Sequence, residues 1–407
     1  MARTPKLSIC IPSRNRQIYF QSVIQALLRS RRTDVEFVLA DNSDDPAIMN
    51  GFIQGLSDPR IRYLPSQDKA LSMLDNWERT VAAATGDWVT VIGDDDHIDP
   101  EAACLIERVE QSASDIDVIG WTVLHYSWPD GQPARDNLFV PFGNKIFRMP
   151  REILLGRIFA WNDATGAVPA SGMTIYHHLV SRRLLDIIKT TYGRYFENPV
   201  VDYDSALKCI VHGRGFLASQ RPFSVMGACP ESNTYSVSRL SDMRRKLATF
   251  VAELEGHDNP DTATEAFPFR MEYGVTSTIG QVVDWYKTKY NFSYDGWEPN
   301  FIKACARNAE LFLEREDFEI VRDTYQRVID TWHGGRYRGH FNPVFQGDVK
   351  TLRVTGFSQE GAYIDSGTAG IATPAAFYDF ACEMMLSASE IEGDNFFLPL
   401  MPDAQAA

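Results

Sequence analysis

In the first third of this 407-residue chain, short apolar clusters alternate with stretches of helical periodicity. A mostly parallel α/β sheet is the arrangement that uses such an alternation. Strands are predicted at Leu7 to Ile11, Val35 to Ala40, Ile61 to Leu64, Trp88 to Ile92 and Val118 to His125. Between them, Tyr19 to Ser30 places Val23, Ile24, Leu27 and Leu28 on one helical face, and Leu71 to Ala84 and Glu101 to Gln111 behave alike. Ligands of open α/β sheets bind beyond the carboxyl ends of the strands. Here those ends carry Ser13-Arg14-Asn15-Arg16, Asp41-Asn42-Ser43-Asp44-Asp45 and Asp94-Asp95-Asp96.

The last of these is the most demanding. An apolar run, Trp88 to Ile92, leads through Gly93 into three carboxylates that no packed core accepts. In an extended chain Asp94 and Asp96 would point to one side with Cα atoms roughly 6 to 7 Å apart. Hard oxygen ligands select Mg²⁺ or Mn²⁺, ions that commonly sit between protein carboxylates and substrate phosphates. The expectation is a metal-diphosphate site at the end of a strand.

Leu7 to Arg16 (LSICIPSRNR), Val35 to Asp45 (VEFVLADNSDD), the segment Asn76 to Gly86 and Val89 to Pro100 (VTVIGDDDHIDP) together resemble the family 2 glycosyltransferases with the GT-A fold. The resemblance covers roughly the first 230 residues and implies a Rossmann-like, mostly parallel central sheet with flanking helices. It implies a nucleotide at the Pro12-Ser13-Arg14 turn, where a helix N-terminus favours anions, and a contact from Asp41 to the base. Asp94 is implied at the ribose or metal, Asp95 at the donor sugar and Asp96 at the metal. Gly93 departs from many members, which are acidic there, so the roles within the triplet are open by one position.

In the family an aspartate at the place of Val201-Asp202-Tyr203-Asp204 is the catalytic base, here assigned to Asp202, with Asp204 as the other candidate. Many members have Glu-Asp where this chain has Val201-Asp202. The implied activity is a metal-dependent, inverting transfer of a sugar from a nucleoside-diphosphate sugar, a UDP-sugar favoured, to a hydroxyl of a glycan or lipid-linked glycan, as in polysaccharide biosynthesis. One carboxylate deprotonates the acceptor as it attacks. Two alternatives stand beside it. A sugar nucleotidyltransferase would need a glycine-rich phosphate loop after the first strand, and residues 12–16 contain no glycine. A non-catalytic nucleotide-sugar-binding scaffold would rely on the C-terminal helices.

Other residues receive structural readings. His177 and His178 are read as packed or capping, and Trp121, Tyr126, Trp128 and Trp161 as core aromatics in preference to sugar-stacking rings. His97 is read as a more exposed contact, and of Arg14 and Arg16 only Arg14 is assigned to phosphate. Arg239, Arg244 and Arg245 either cover the donor or form a solvated helix face.

The formal charge of -14 argues against a nucleic-acid partner. Six scattered cysteines without a CxxC pair, no apolar leader and no long apolar run point to a cytoplasmic protein without a transmembrane segment; peripheral attachment to the inner face of the membrane is left open. Length argues for two units: an α/β domain at 1–235 and a mainly helical module at 236–407 that could serve acceptor or oligomer contacts. From Trp128 to Gly172 turn residues suggest a cover over the site, broken by a helix at Arg151 to Phe159.

Overall fold

The computed structural model describes residues 4–129, 137–162, 166–170, 172–232, 238–254, 266–347, 354–367, 369–391 and 398–399. The chain begins β1 (Leu7–Ser13), α1 (Gln17–Leu28), β2 (Val35–Asp41), α2 (Ala47–Gln54), β3 (Ile61–Leu64), α3 (Met73–Ala83) and β4 (Trp88–Val91). It continues with β5 (His97–Ile98), α4 (Ala102–Ser112), β6 (Val118–Trp121), β7 (Leu124–Ser127), β8 (Asn137–Pro141), β9 (Ile146–Arg148) and α5 (Arg151–Ala160). Then come β10 (Leu179–Ser181), α6 (Arg182–Tyr192), α7 (Val201–His212), β11 (Phe216–Ser219) and β12 (Ser224–Ala228). The remainder is α8 (Leu240–Leu254), α9 (Val275–Lys289), α10 (Glu298–Glu310), α11 (Arg315–Ile329), β13 (Gly356–Phe357), β14 (Gly361–Asp365), α12 (Pro374–Cys382) and β15 (Leu398–Pro399).

The main sheet has the order β15-β9-β11-β6-β10-β4-β1-β2-β3. β4, β1, β2 and β3 run parallel, while β10 lies antiparallel between β4 and β6. The carboxyl ends of β1, β2 and β4 therefore share one edge of the sheet. Strand period decides the two faces. Leu7, Ile9 and Ile11 join the apolar cluster under α1 and α4, whereas Cys10, Val38, Val89 and Val91 join the cluster on the other face, built from α5, α6 and α7. That second cluster runs without a break into Val282 and Val283 of α9, Phe301 and Cys305 of α10 and Val321 and Tyr325 of α11.

The α/β architecture with a mostly parallel sheet, followed by a mainly helical C-terminal region, is thus the one the resemblance implied. Three local expectations change. Val118 to His125 is not one strand: it divides into β6 and β7, which belong to different sheets. The sequence pattern over Leu179 to Thr190 predicts a helix, but α6 starts only at Arg182, because the first residues are β10 and Ser181 caps the helix by accepting from the Leu184 N–H at 3.2 Å. The stretch expected as a cover supplies β8 and β9, and β9 pairs with β11 in the main sheet.

The C-terminal region does not stay apart. The hairpin β13-β14 adds to β8, and Phe377, Tyr378 and Ala381 of α12 pack with Leu124, Tyr126 and Val225. Arg221 ties the same segment down, donating from Nε to the Leu386 carbonyl at 2.7 Å and from Nη1 to Tyr378 Oη at 3.1 Å. No helix among the described residues is long and apolar enough to cross a membrane.

Candidate active site

β4 ends at Val91, and the chain then turns instead of staying extended, with the Asp96 N–H donating back to the Gly93 carbonyl at 3.3 Å. The two-residue alternation expected of Asp94 and Asp96 is therefore not what the three side chains follow. Asp96 is held inward by three donors and a close histidine nitrogen. Its Oδ2 accepts from the Gly93 N–H at 2.6 Å and Tyr176 Oη at 2.7 Å and lies 3.0 Å from His177 Nε2, and its Oδ1 accepts from the Gly227 N–H at 2.7 Å. Burial raises its pKa, but His177, Tyr176 and Gly227 outweigh burial and hold it below the usual carboxylate range.

Asp94 and Asp95 meet a single guanidinium. Arg16 Nη2 lies 2.6 Å from Asp94 Oδ1 and Nη1 lies 3.4 Å from Asp95 Oδ2. Ser13 donates to the other Asp94 oxygen at 2.6 Å, and the Cys229 N–H to Asp95 Oδ2 at 3.1 Å. Burial, with repulsion from the neighbouring aspartates and against the pull of Arg16, pushes Asp94 up to about 7; burial and the charge of Asp96 raise Asp95 as well. Two buried, hard-oxygen carboxylates faced by one monovalent cation leave an excess of negative charge, a donor set that fits a hard divalent ion. No group of three or more His, Cys, Asp or Glu side chains able to hold a metal occurs among the described residues, so such an ion would need oxygens from its ligand as well.

The second acidic pair divides cleanly. Asp204, fully buried, accepts at Oδ2 from the Glu197 N–H at 2.6 Å, the Asn198 N–H at 3.3 Å and Lys208 Nζ at 2.9 Å. Lys208 is itself fully buried and lies 3.2 Å from Glu197 Oε2. Asp204 thus has Oδ2 committed to three donors, while its buried Oδ1 has no hydrogen-bond partner among the described residues. Asp202 is half-buried in the first turn of α7, and no side chain among the described residues bonds its carboxylate. Burial raises its pKa, opposed by the N–H groups of Tyr203 and of Asp202 itself.

One short segment ties the two acidic clusters together. Thr174 Oγ1 donates to the Asp202 carbonyl at 2.9 Å, and the Ile175 N–H donates to Ser205 Oγ at 3.1 Å in the same helix. The Val91 N–H donates to the Ile175 carbonyl at 2.9 Å, the His177 N–H to the Val91 carbonyl at 2.8 Å, and Tyr176 and His177 then reach Asp96. His177 takes a left-handed φ of 65°, which swings its ring onto the triplet.

On the nucleotide side, Pro12 and Ser13 are the last residues of β1, with Ser13 in register with Asp41. Asp41 is fully buried, and its oxygens accept from Ser43 Oγ at 2.6 Å, Ser66 Oγ at 3.1 Å and Tyr63 Oη at 3.4 Å. Arg14 turns away from the triplet, toward Asp44 at 3.4 Å and Glu253 of α8 at 3.7 Å. The structure therefore brings together Ser13, Arg16, Asp94 and Asp95, with Asp96 behind them, and leaves Arg14 at the rim.

Several neighbours were not singled out from sequence. Tyr176 and Gly227 fix Asp96, whereas Trp128, read as a core aromatic, donates from Nε1 to the Asp95 carbonyl at 2.8 Å. His125, on the open side of β7, has its pKa lowered by burial and by the nearby charge of His177, with Asp96 acting the other way. His97, expected to be exposed, is buried beneath Tyr378 with ring centroids 5.4 Å apart, and burial lowers its pKa to about 4. His178 is packed, as read: it lies edge-on to Trp121 with Nε2 3.1 Å from that residue's carbonyl.

Residues 8–167 match the model of Glycosyl transferase family 2. The GalNAc(5)-diNAcBac-PP-undecaprenol beta-1,3-glucosyltransferase of Campylobacter jejuni is 31% identical over 97 residues, 23% of this chain and 31% of that relative. The match thus spans under a third of the relative's length. Among solved structures, residues 1–349 of S. aureus TarS in complex with UDP-GlcNAc align with 88% of this chain and 99% of their own, at 15% identity and a TM-score of 0.42. The mannosyltransferase PcManGT from Pyrobaculum calidifontis, in complex with GDP-Man and Mn²⁺, aligns with 84% and 86%, at 13% identity and a TM-score of 0.37.

Proposed function

We propose that this chain, which carries a family 2 glycosyltransferase region at residues 8–167, transfers a sugar with inversion from a nucleoside-diphosphate sugar to a hydroxyl of a glycan or lipid-linked glycan. A UDP-sugar is the favoured donor, and the name of the Campylobacter relative is the reason for including lipid-linked acceptors. The observation that carries the reading is that one segment, 174–177, bonds both Asp96 of the triplet and the Asp202 carbonyl in the first turn of α7, so the triplet and a carboxylate that no side chain bonds among the described residues are held by the same backbone. Asp202 is the proposed base, supported by the engagement of Asp204 Oδ2 with Lys208 and the Glu197 N–H.

In the reaction Asp202 accepts the acceptor proton as the hydroxyl oxygen forms its bond to the anomeric carbon. The bond from that carbon to the diphosphate oxygen breaks on the opposite face, and the pair of electrons leaves with the diphosphate. Of the two residues expected at the metal, Asp94 would hold Mn²⁺ or Mg²⁺, joined here by Asp95, while Asp96, expected there as well, accepts from Gly93, Tyr176 and Gly227 and keeps the turn in place. A divalent ion bound there supplies Lewis acidity and charge neutralisation to the leaving diphosphate. Asp41, Pro12 and Ser13 would line the nucleoside, and Arg14 would reach only its outer edge. The α/β part, 1–235, would carry this chemistry, and the helical part, 236–407, would contribute acceptor or oligomer contacts. With such an acceptor the protein would work in the cytoplasm or at the inner membrane face.

The test is to incubate the protein with a panel of UDP- and GDP-sugars in Mn²⁺, Mg²⁺ or EDTA and to measure released nucleoside diphosphate. Metal-dependent release from one donor is expected. No release and no donor binding across the panel would remove the reading.

A further inference from the structure

Arg16 is the only cation that an ion pair joins to Asp94 or Asp95 among the described residues, and its placement is built by the fold. Asn15 adopts a left-handed φ of 56°, lashed to the loop after β2: its Nδ2 donates to Asp44 Oδ2 at 2.8 Å, its Oδ1 accepts the Asp44 N–H at 2.9 Å, and its N–H donates to Ser43 Oγ at 3.0 Å. That turn sends Arg14 outward and Arg16 inward. Arg16 is then the residue preceding α1, and its carbonyl accepts the Phe20 N–H at 3.0 Å, which fixes the backbone from which the side chain extends. The guanidinium rests against the Asp94 and Asp95 oxygens and Cys229 Sγ, 3.5 Å from Nη1, and remains about a quarter exposed.

We propose that Arg16 is a displaceable internal counter-cation: it offsets part of the charge of Asp94 and Asp95 until a divalent ion arrives with the donor, and then moves onto the diphosphate. The inference rests on the metal and nucleotide-sugar reading above. Charge decides the direction. A divalent ion between two carboxylates repels a guanidinium at contact distance, and a diphosphate keeps negative charge after one divalent ion is bound, so it attracts the displaced side chain. Arginine suits both ends, since its planar fork matches a carboxylate pair and phosphate oxygens equally. The arrangement couples the two ligands: metal alone must compete with Arg16, whereas metal with diphosphate gives Arg16 a second partner.

The experiment titrates the full-length protein and Arg16→Gln with Mn²⁺, followed by the EPR signal of free Mn²⁺, with and without UDP. Without UDP, Arg16→Gln should bind Mn²⁺ on the order of tenfold more tightly than the native protein; at saturating Mn²⁺ it should bind UDP on the order of tenfold more weakly. Equal or weaker Mn²⁺ binding by folded Arg16→Gln overturns the proposal while leaving the glycosyltransferase reading intact. Loss of Mn²⁺ and UDP binding in both proteins removes that reading and this one together. If Arg16→Gln does not fold, a structure of the native protein with Mn²⁺ and UDP decides: Arg16 off Asp94 and on the diphosphate supports displacement, and Arg16 still bridging Asp94 and Asp95 overturns it.

Discussion

Two aspartates two positions apart in α7 are predicted to respond in opposite ways to the same change. Asp202 is held half-buried with its ionised form disfavoured, so in the folded protein it binds a proton more tightly than in the unfolded chain. Stability from this group is present below its unfolded pKa and is lost as pH rises through the raised folded value. Asp202→Asn should therefore raise the melting temperature at pH 7.5, by an amount that shrinks as the pH is lowered, while reducing transfer by about 10²- to 10⁴-fold and sparing donor binding. Melting curves at two pH values, with turnover and UDP binding, check it; full transfer by Asp202→Asn would reject Asp202 as base. Asp204→Asn removes a partner of Lys208, a fully buried ammonium left with Glu197 Oε2 at 3.2 Å, and should destabilise the fold by about 3 kcal/mol. A melting temperature unchanged by Asp204→Asn would refute the structural role. The sequence identifies both acids and cannot separate them, because the donors to Asp204, the N–H groups of Glu197 and Asn198, lie in a loop without periodicity. It likewise favours Arg14 over Arg16, since the choice is made by the left-handed turn at Asn15.

At the scale of elements, strands with a continuous apolar run are legible in the sequence, and those around the site that lack one are not. Leu7–Ser13, Val35–Asp41 and Ile61–Leu64 fall where their apolar runs place them. β5 is two residues long, and β12, Ser224–Ala228, carries Ser224 and Gly227 in place of an apolar alternation, so periodicity distinguishes neither from loop, yet β12 holds the triplet. β12 pairs with β5 on one side and β7 on the other, and this brings the Gly227 N–H onto Asp96 Oδ1 and the Cys229 N–H onto Asp95 Oδ2. Gly227 is glycine for a steric reason: a Cβ there would run into the Asp95 carbonyl. Gly227→Ala should push β12 off the turn, destabilise the protein by about 2 kcal/mol and weaken Mn²⁺ binding by more than that stability loss explains in the folded fraction. Thermal melts together with Mn²⁺ titration check it, and native metal binding in Gly227→Ala would show that β12 does not set the triplet's geometry.

Across the whole molecule, the question is whether the α/β part can exist without the helices that follow it. Composition change after about Tyr235 suggests a separable module, and helical periodicity there is correctly legible; what it cannot reveal is which face those helices bury. The apolar cluster beneath β4 and α7 continues through Ile279, Val282 and Phe301, so removing α9 and α10 would expose Phe159, Trp161 and Ile210. Polar links cross at the same place. Tyr192 Oη lies 2.7 Å from Tyr286 Oη, and Glu197, a partner of Lys208, is held by Lys289 Nζ at 2.6 Å and Tyr290 Oη at 2.5 Å. Burial raises the pKa of Glu197, but Lys289, Tyr290 and Lys208 more than offset it, so the carboxylate stays charged and the link persists at neutral pH. The loop that positions α7, and with it Asp202, is therefore anchored from α9. The return of β14 to β8 and of α12 to β12 adds a second attachment on the opposite side. A fragment ending at residue 235 should consequently bind a hydrophobic dye and melt without a cooperative transition, whereas the full chain should unfold in one step. Circular dichroism, dye fluorescence and calorimetry on the two proteins decide the matter: a fragment with native spectra and a sharp transition of its own would mean that the shared core is an interface between independent domains, and that Asp202 keeps its place without α9.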